Sequence, residues 1–389
     1  MKEKNIISKR VNAIPFSGIR KFFDLVQESK DDIISLGVGE PDFPTPEPLK
    51  DAAIRAIEND LTSYTSNYGL LELREIIAEK LKKKNNITVD PKKEILVTVG
   101  VSEALDLAVR AVVNPGDEVL VPDPGYVSYK ANVWFAYGEP VSIPTGEEDE
   151  FRVQPEEIEK RITKKTKAII VSSPANPTGS VLRKKDLEGI ADLCVEHDLV
   201  ALSDEIYEVL IYDDEKHYSI GSLNGMEDRT ITLNGYSKAC SFTGWRLGYV
   251  AGRPEYIEAM MKIHQYTALC APSISQYAAL EAFKHEEYVK DMVKEYDRRR
   301  RLLVKGLNEI HNMSCIMPKG AFYAFPNVKE TGLSSEKFAE RLLKEGGVAA
   351  VPGNSFGECG EGYIRCAYCV SREDITEALS RIEKFAKKL

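Results

Sequence analysis

Six short runs of mostly aliphatic residues, at 95–99, 118–121, 168–171, 199–202, 230–233 and 247–251, recur through the middle of the chain. Helix-length amphipathic stretches, such as 184–197, separate most of them. A strand that is apolar at successive rather than alternate positions has both faces out of water, and such strands need helices to cover them. The rhythm therefore predicts an α/β fold with a mainly parallel sheet flanked by helices. A helix with Leu70, Leu73, Ile77 and Leu81 on one face leads into it. From about 281 to 310 the pattern becomes one long helix with Tyr288, Met292, Tyr296, Leu303 and Leu307 on one face, read as a spine between two domains. Beyond it, 321–325, 348–351 and 363–367 read as strands. A last helix carrying Ile375, Leu379, Ile382 and Phe385 follows a Ser371-x-x-Asp374 capping signal. The expected organisation is a large domain over 46–285 and a smaller α/β domain made of 286–389 with 1–45. The charge runs at 147–150 and 298–301 read as solvated surface. The segment Ala13-Ile14-Pro15-Phe16-Ser17-Gly18-Ile19 reads as a flap that closes over a site.

Composition narrows the function. The 389 residues allow two or three packed domains. With 52 basic against 61 acidic residues the net charge is −9, so there is no broad basic footprint for nucleic acid or for an anionic membrane. No run approaches the roughly 18 apolar residues of a membrane span, and the start MKEKNIISKR has no apolar signal core behind it, so a cytoplasmic protein is expected. The seven cysteines are odd in number and dilute, which reads as free thiols in a reducing compartment. Gly353-Asn354-Ser355-Phe356-Gly357 matches a hydrolase elbow, but that chemistry needs an acid and then a histidine downstream, and the last histidine is His311. Cys366 and Cys369, with Cys359 nearby, resemble half of a metal site that no second pair completes, so they read as small core residues and no metal is expected. Neither a glycine-rich dinucleotide fingerprint nor a Gly-Lys pair is present, which disfavours a nicotinamide dehydrogenase or a nucleotide triphosphatase.

The unusual polar residues fall just after the carboxyl ends of the expected strands, the edge where ligands bind in open α/β sheets. After Val99 comes Gly100-Val101-Ser102 opening a helix, whose free N–H groups suit a phosphate. After Val171 comes a proline-stiffened turn carrying Asn176, after Leu202 come Asp204 and Tyr207, and after Leu233 comes Asn234-Gly235-Tyr236-Ser237-Lys238. One edge thus gathers an amide, a carboxylate, a phenol, a lysine and a phosphate cradle. Pyridoxal 5'-phosphate needs a separate partner for its ring nitrogen, phenolic oxygen, aldehyde and phosphate, and this inventory supplies them. A lysine that loses its proton to react with an aldehyde needs a desolvated site with positive charge nearby, and Lys238 is followed by Arg246.

The run from Gly235 through Lys238-Ala239-Cys240-Ser241-Phe242-Thr243-Gly244-Trp245-Arg246 to Gly248 resembles the pyridoxal-lysine signature of the class I/II aminotransferases of fold type I, of the aspartate and aromatic amino-acid type. Gly37-Val38-Gly39-Glu40-Pro41-Asp42-Phe43, Asn176-Pro177-Thr178-Gly179, Asp204-Glu205-Ile206-Tyr207 and Tyr363-Ile364-Arg365 extend the resemblance over essentially the whole chain. It implies that Lys238 carries the cofactor and then shuttles the substrate proton, that Asp204 keeps the pyridine nitrogen protonated, and that Asn176 and Tyr207 hydrogen-bond the phenolic oxygen. By the same resemblance Arg246, Ser237 and the N–H groups of Val101 and Ser102 bind the phosphate, with Tyr64 reaching it from the partner subunit of a homodimer with shared active sites. Arg365 grips the substrate α-carboxylate beside Gly39 and Asn176, and Tyr126 is the aromatic shelf on the cofactor ring. One departure is Gly235, where many relatives place a serine on the phosphate. The implied activity is a ping-pong transfer of the amino group of aspartate or an aromatic amino acid to 2-oxoglutarate. A β-lyase on the same fold, or a non-catalytic regulator that binds the same cofactor, is the alternative.

Overall fold

The computed structural model describes residues 6–16, 18–19, 32–284 and 286–389. Ser17 of the expected flap and the boundary residue 285 lie outside them. After a short first strand, β1 (Ile34–Ser35), the six aliphatic runs form β2 (Ile95–Thr98), β3 (Glu118–Asp123), β5 (Thr166–Ser172), β6 (Val200–Asp204), β7 (Thr230–Gly235) and β8 (Gly248–Ala251). All six lie in one seven-stranded sheet of order β2-β8-β7-β6-β5-β3-β4, where β4 is Glu139–Pro144. The strands from β3 to β7 run parallel, whereas β8 is antiparallel to both of its neighbours. β4 has no aliphatic run to announce it. It is the half-exposed edge strand and carries Pro140 and Pro144, and an edge tolerates proline because one side of the strand has no ladder to complete.

The helices cover both faces, as doubly apolar strands require. Ala104, Leu107 and Ala108 of the helix Gly100–Val112 pack with Ile257 and Met260 over one face. On the other, Leu187, Ile190 and Ala191 of the helix Lys184–Glu196 cover Leu120, Ile169 and Ala201. Leu73 and Ile77 of the helix Leu71–Lys80 pack with Tyr236, Phe242 and Leu247, so the lysine segment has a core of its own.

The long helix runs from Glu286 to Asn308 and begins later than expected, because Ala282–Lys284 turns as a 3-10 helix first. Met292, Tyr296, Leu303 and Leu307 are buried on its inner face, but Tyr288, expected with them, is 43% exposed in the first turn. The reading of 298–301 as solvated surface is corrected. Successive helical residues are rotated by about 100°, so four arginines in a row cannot all face water. Arg300 is fully buried; it donates to Asp213 (2.9 Å) and to the Pro318 carbonyl (2.6 Å) and lies 4.5 Å over the Tyr212 ring. Arg299 is also buried and grips both oxygens of Asp42 at 2.8 Å. Beyond the helix, β11 (Val351–Pro352), β12 (Ile364–Ala367) and β9 (Tyr323–Ala324) form an antiparallel sheet, and β10 (Val348–Ala349) pairs in parallel with β1. The expected strand 348–351 is therefore two short ones, broken at Ala350. The last helix, Arg372–Ala386, is capped by the Ser371 hydroxyl, which accepts from the Asp374 N–H at 3.0 Å. Gly353–Phe356 is a 3-10 turn rather than a strand-to-helix elbow. Cys366 and Cys369 are free thiols in the apolar core of this part of the chain, and burial pushes both thiols up.

One crossing ties this frame to the helix Gly100–Val112. Gly235 and Gly248 face each other in the β7–β8 ladder, and a Cβ on Gly248 would lie 2.7 Å from the Gly100 carbonyl carbon and 2.8 Å from the Val101 nitrogen. Only a bare backbone lets the helix start touch the sheet there. Gly248→Ala is expected to cost about 1–3 kcal/mol, as overpacking does, and to loosen the helix start, measured by urea unfolding. Gly244→Ala, where an added methyl meets nothing within 4 Å, is the control expected to leave stability within about 0.5 kcal/mol.

Candidate active site

The carboxyl ends of β5, β6 and β7 and the start of the helix Gly100–Val112 open onto one cavity of about 370 Å³. It is lined by Gly39, Val101, Ser102, Tyr126, Asn176, Asp204, Tyr207, Ser237, Lys238, Arg246 and Arg365. All the expected site residues therefore meet there except Tyr64, which is 83% exposed and does not line it.

Asp204 ends β6 and is buried. Its Oδ1 accepts from the Ile206 N–H at 3.2 Å and its Oδ2 from the Tyr129 hydroxyl at 2.8 Å. Burial pushes the carboxyl above its ordinary value, with the Tyr129 and Ile206 bonds pulling the other way. No cationic side chain forms an ion pair with it among the described residues, so a protonated ring nitrogen fits the charge left over. Lys238 follows β7, and its Nζ donates to the Gly39 carbonyl at 3.1 Å. Burial pushes its amine down to about 8. The loop that carries it is stapled in place: Thr45 Oγ1 donates to the Ser241 carbonyl at 2.8 Å and accepts from the Trp245 ring at 3.1 Å, while Ser275 Oγ donates to the Trp245 carbonyl at 2.7 Å.

Arg365, on β12, is nearly out of water. Nη1 donates to Asn176 Oδ1 at 3.0 Å and Nη2 to the Gly37 carbonyl at 2.7 Å, while the buried Nε has no partner. Its guanidinium lies 4.5 Å from the Tyr323 ring centre and 4.9 Å from that of Phe356. The Tyr207 and Tyr323 hydroxyls are 2.8 Å apart, and burial pushes both phenols up, so both remain protonated donors at neutral pH. At the other end, Val99 caps the helix Gly100–Val112 with no side-chain acceptor, which leaves first-turn N–H groups at the cavity. Arg246 stands beside them: an added Cβ on Gly100 would lie 2.6 Å from its Nη2. A helix start with free donors and a guanidinium suits a phosphate. A Cβ on Gly235 would lie 2.9 Å from the Gly248 Cα, so a serine at this position has no room in this backbone.

Sequence reasoning missed Tyr129, Tyr323, Glu40 and Thr243, which also line the cavity. Tyr129 holds Asp204 across 75 positions of sequence, and no local pattern announces such a contact. Tyr323 lay inside an expected strand, where a tyrosine reads as core. Of the flap segment, Ile19 lines the cavity, and a Cβ on Gly18 would meet Ser355 Oγ at 2.2 Å.

The family model for aminotransferase class I and II matches residues 31–382. The chain is 52% identical over 385 residues to an aspartate aminotransferase of Pyrococcus abyssi, with 98% of each chain covered. It is 49% identical over 385 residues to an aromatic-amino-acid aminotransferase of Thermococcus litoralis, again with 98% of each covered. Among solved structures, the aromatic aminotransferase of Pyrococcus horikoshii superimposes with a TM-score of 0.90 at 52% identity, covering 95% of this chain and 99% of that one. Family match, identity and superposition run nearly end to end, and on that ground the chain belongs to the class I and II aminotransferases of fold type I, transaminases that use pyridoxal 5'-phosphate.

Proposed function

We propose that the enzyme moves the α-amino group of aspartate or of an aromatic amino acid to 2-oxoglutarate in two half-reactions at one site, as a cytoplasmic homodimer. The names of its relatives supply the donor classes. The observation that carries the reading is Arg365, a buried guanidinium whose acceptors are an amide oxygen and a backbone carbonyl, with no carboxylate partner among the described residues. A buried cation without a counter-charge is costly. An α-carboxylate supplies that charge in the two-pronged geometry guanidinium favours.

Bound pyridoxal 5'-phosphate supplies a conjugated ring that takes up the electron pair left when the substrate α-carbon loses a proton. Lys238 would accept that proton at Nζ and deliver it to the cofactor carbon C4′, and an amine held near 8 is a usable base close to neutral pH. Asp204, fixed by Tyr129, holds a proton at the ring nitrogen. Asn176 keeps Nδ2 as a donor, since its Oδ1 is engaged by Arg365, and with Tyr207 it serves the phenolic oxygen. Arg246, Ser237 and the Val101 and Ser102 N–H groups would hold the phosphate, Tyr126 would cover the ring and Gly39 would lie along the substrate; all of them line the cavity. Tyr64 is assigned to the partner's site because it is exposed and does not line this chain's own cavity. Asn67 Nδ2, three residues on, donates to the Leu269 carbonyl at 2.7 Å, and Tyr266 and Leu269 are exposed apolar residues that a second copy would take out of water. The division into 46–285 and 1–45 with 286–389 is supported by a separate apolar core drawn from 292–385 and Leu36, into which Tyr207, Leu210 and Tyr212 reach.

Three outcomes test this. Aspartate, tyrosine or phenylalanine added alone to holoenzyme should change the cofactor absorbance once per site, and 2-oxoglutarate should restore it; continuous product release with no acceptor would overturn the reading in favour of a lyase. Arg365→Lys should lower kcat/KM by roughly 10- to 100-fold, the loss of a charged hydrogen bond of ~1.5–3 kcal/mol, mostly through KM. The third outcome is a pH profile. Enzyme stripped of cofactor should form the borohydride-reducible adduct faster as pH rises through about 8, because the ammonium form below that value has no lone pair. A rise centred near the ordinary lysine value of 10.5 would remove the role given to burial.

A further inference from the structure

A second cavity, of about 740 Å³, lies behind the lysine segment. Gly235, Ala239 and Cys240 form part of its wall, while Ser237 and Lys238 between them face the active site, and the two cavities share no lining residue. It opens between the helix Leu71–Lys80, with the turn Leu81–Asn85 that follows, and the start of the long helix Glu286–Asn308. Its inner wall is apolar, built from Val209, Tyr249, Leu280, Phe283 and Val293. Its ionisable lining has the opposite sign to the chain as a whole: six lysines against two glutamates, in a chain of net charge −9. Lys83 pairs with Glu79, Lys284 with the half-buried Glu281 and Lys294 with Asp291, all i,i+3 or i,i+4 pairs whose lysine is exposed. Such pairs are worth little and exchange readily for another anion. Of the two glutamates, Glu208 is already neutralised by Lys80 and accepts from Asn85 at 2.8 Å, so it does not repel an anion at the mouth.

A chamber of this size with apolar walls and a few convergent charged groups has the build of a small-molecule site. We propose that it binds an amphipathic anion, with the apolar body against Tyr249, Phe283 and Val293 and the acidic head among the lysines of the mouth. An aromatic 2-oxo acid and a fatty acid share that chemistry.

The test uses holoenzyme and the fluorescent probe anilinonaphthalene sulfonate, with dodecanoate and phenylpyruvate as competitors. Saturable binding at a single site per chain is expected, displaced by at least one competitor. Displacement by dodecanoate alone identifies an aliphatic source and by phenylpyruvate alone an aromatic one. Val293→Trp, which fills the chamber, should abolish probe binding while transaminase turnover persists, which separates this site from the active site. The exposed double substitution Lys290→Glu with Lys294→Glu should weaken binding about tenfold or more, a change of ~1.4 kcal/mol, and reads the same site if the tryptophan variant does not fold. No saturable binding, no displacement by either acid, or unchanged affinity in the lysine variant would overturn the proposal.

Discussion

Three ionisable side chains, Lys238, Asp204 and Arg365, are held in one cavity with no ion pair joining any two of them. Each charge taken from water costs several kcal/mol unless something nearby answers it. The answers are polar groups at strand ends: the Gly39 and Gly37 carbonyls, the Asn176 amide, the Tyr129 hydroxyl and the Ile206 N–H. These partly offset the desolvation and fix direction, and they leave Asp204 and Arg365 each short of one opposite charge. A protonated ring nitrogen would answer the first and a carboxylate the second, while burial already favours Lys238 as the neutral amine. The site is thus poised to gain more from binding than a self-neutralised cluster would.

The parallel sheet was legible because doubly buried strands need continuous aliphatic runs, and the site edge was legible because Asn176, Asp204 and Lys238 directly follow such runs. β4 escaped because an edge strand needs no such run and tolerates Pro140 and Pro144. Tyr129 and Tyr323 escaped because their partners, Asp204 and Tyr207, are far away in sequence, and a buried tyrosine looks the same whether it packs or donates. Arg299 and Arg300 were misread for a different reason. A run of charge suggests solvent, but a helix spreads four consecutive residues around its circumference, and this one turns Arg299 and Arg300 inward, where the carboxylates of Asp42 and Asp213 come from distant loops.

Those two arginines also show how the long helix serves the site it never touches. Asp42 follows Gly39 by three residues, and the two hydrogen bonds it accepts from Arg299, with Tyr296 donating to the same carboxylate at 3.2 Å, pin the segment that brings Gly39 to the cavity. Asp213 lies a short distance beyond Tyr207 and is held by Arg300 and by Lys319, so the strand-end loop and the chain leading to Tyr323 are drawn to one point. Position at the cavity is set from a helix whose own surface faces elsewhere.

The antiparallel pairing of β7 with β8 sets the position of Lys238 in a way the parallel strands could not. Because Gly235 and Gly248 are partners in that ladder, residues 236–247 leave and re-enter the sheet at neighbouring points. Lys238 and Arg246 ride together on a loop with fixed ends. The spacing between the Lys238 amine and the Arg246 guanidinium is therefore a local property. The outer helical crossovers can be lengthened, trimmed or recombined without retuning it, whereas one residue inserted inside the loop would shift both groups at once.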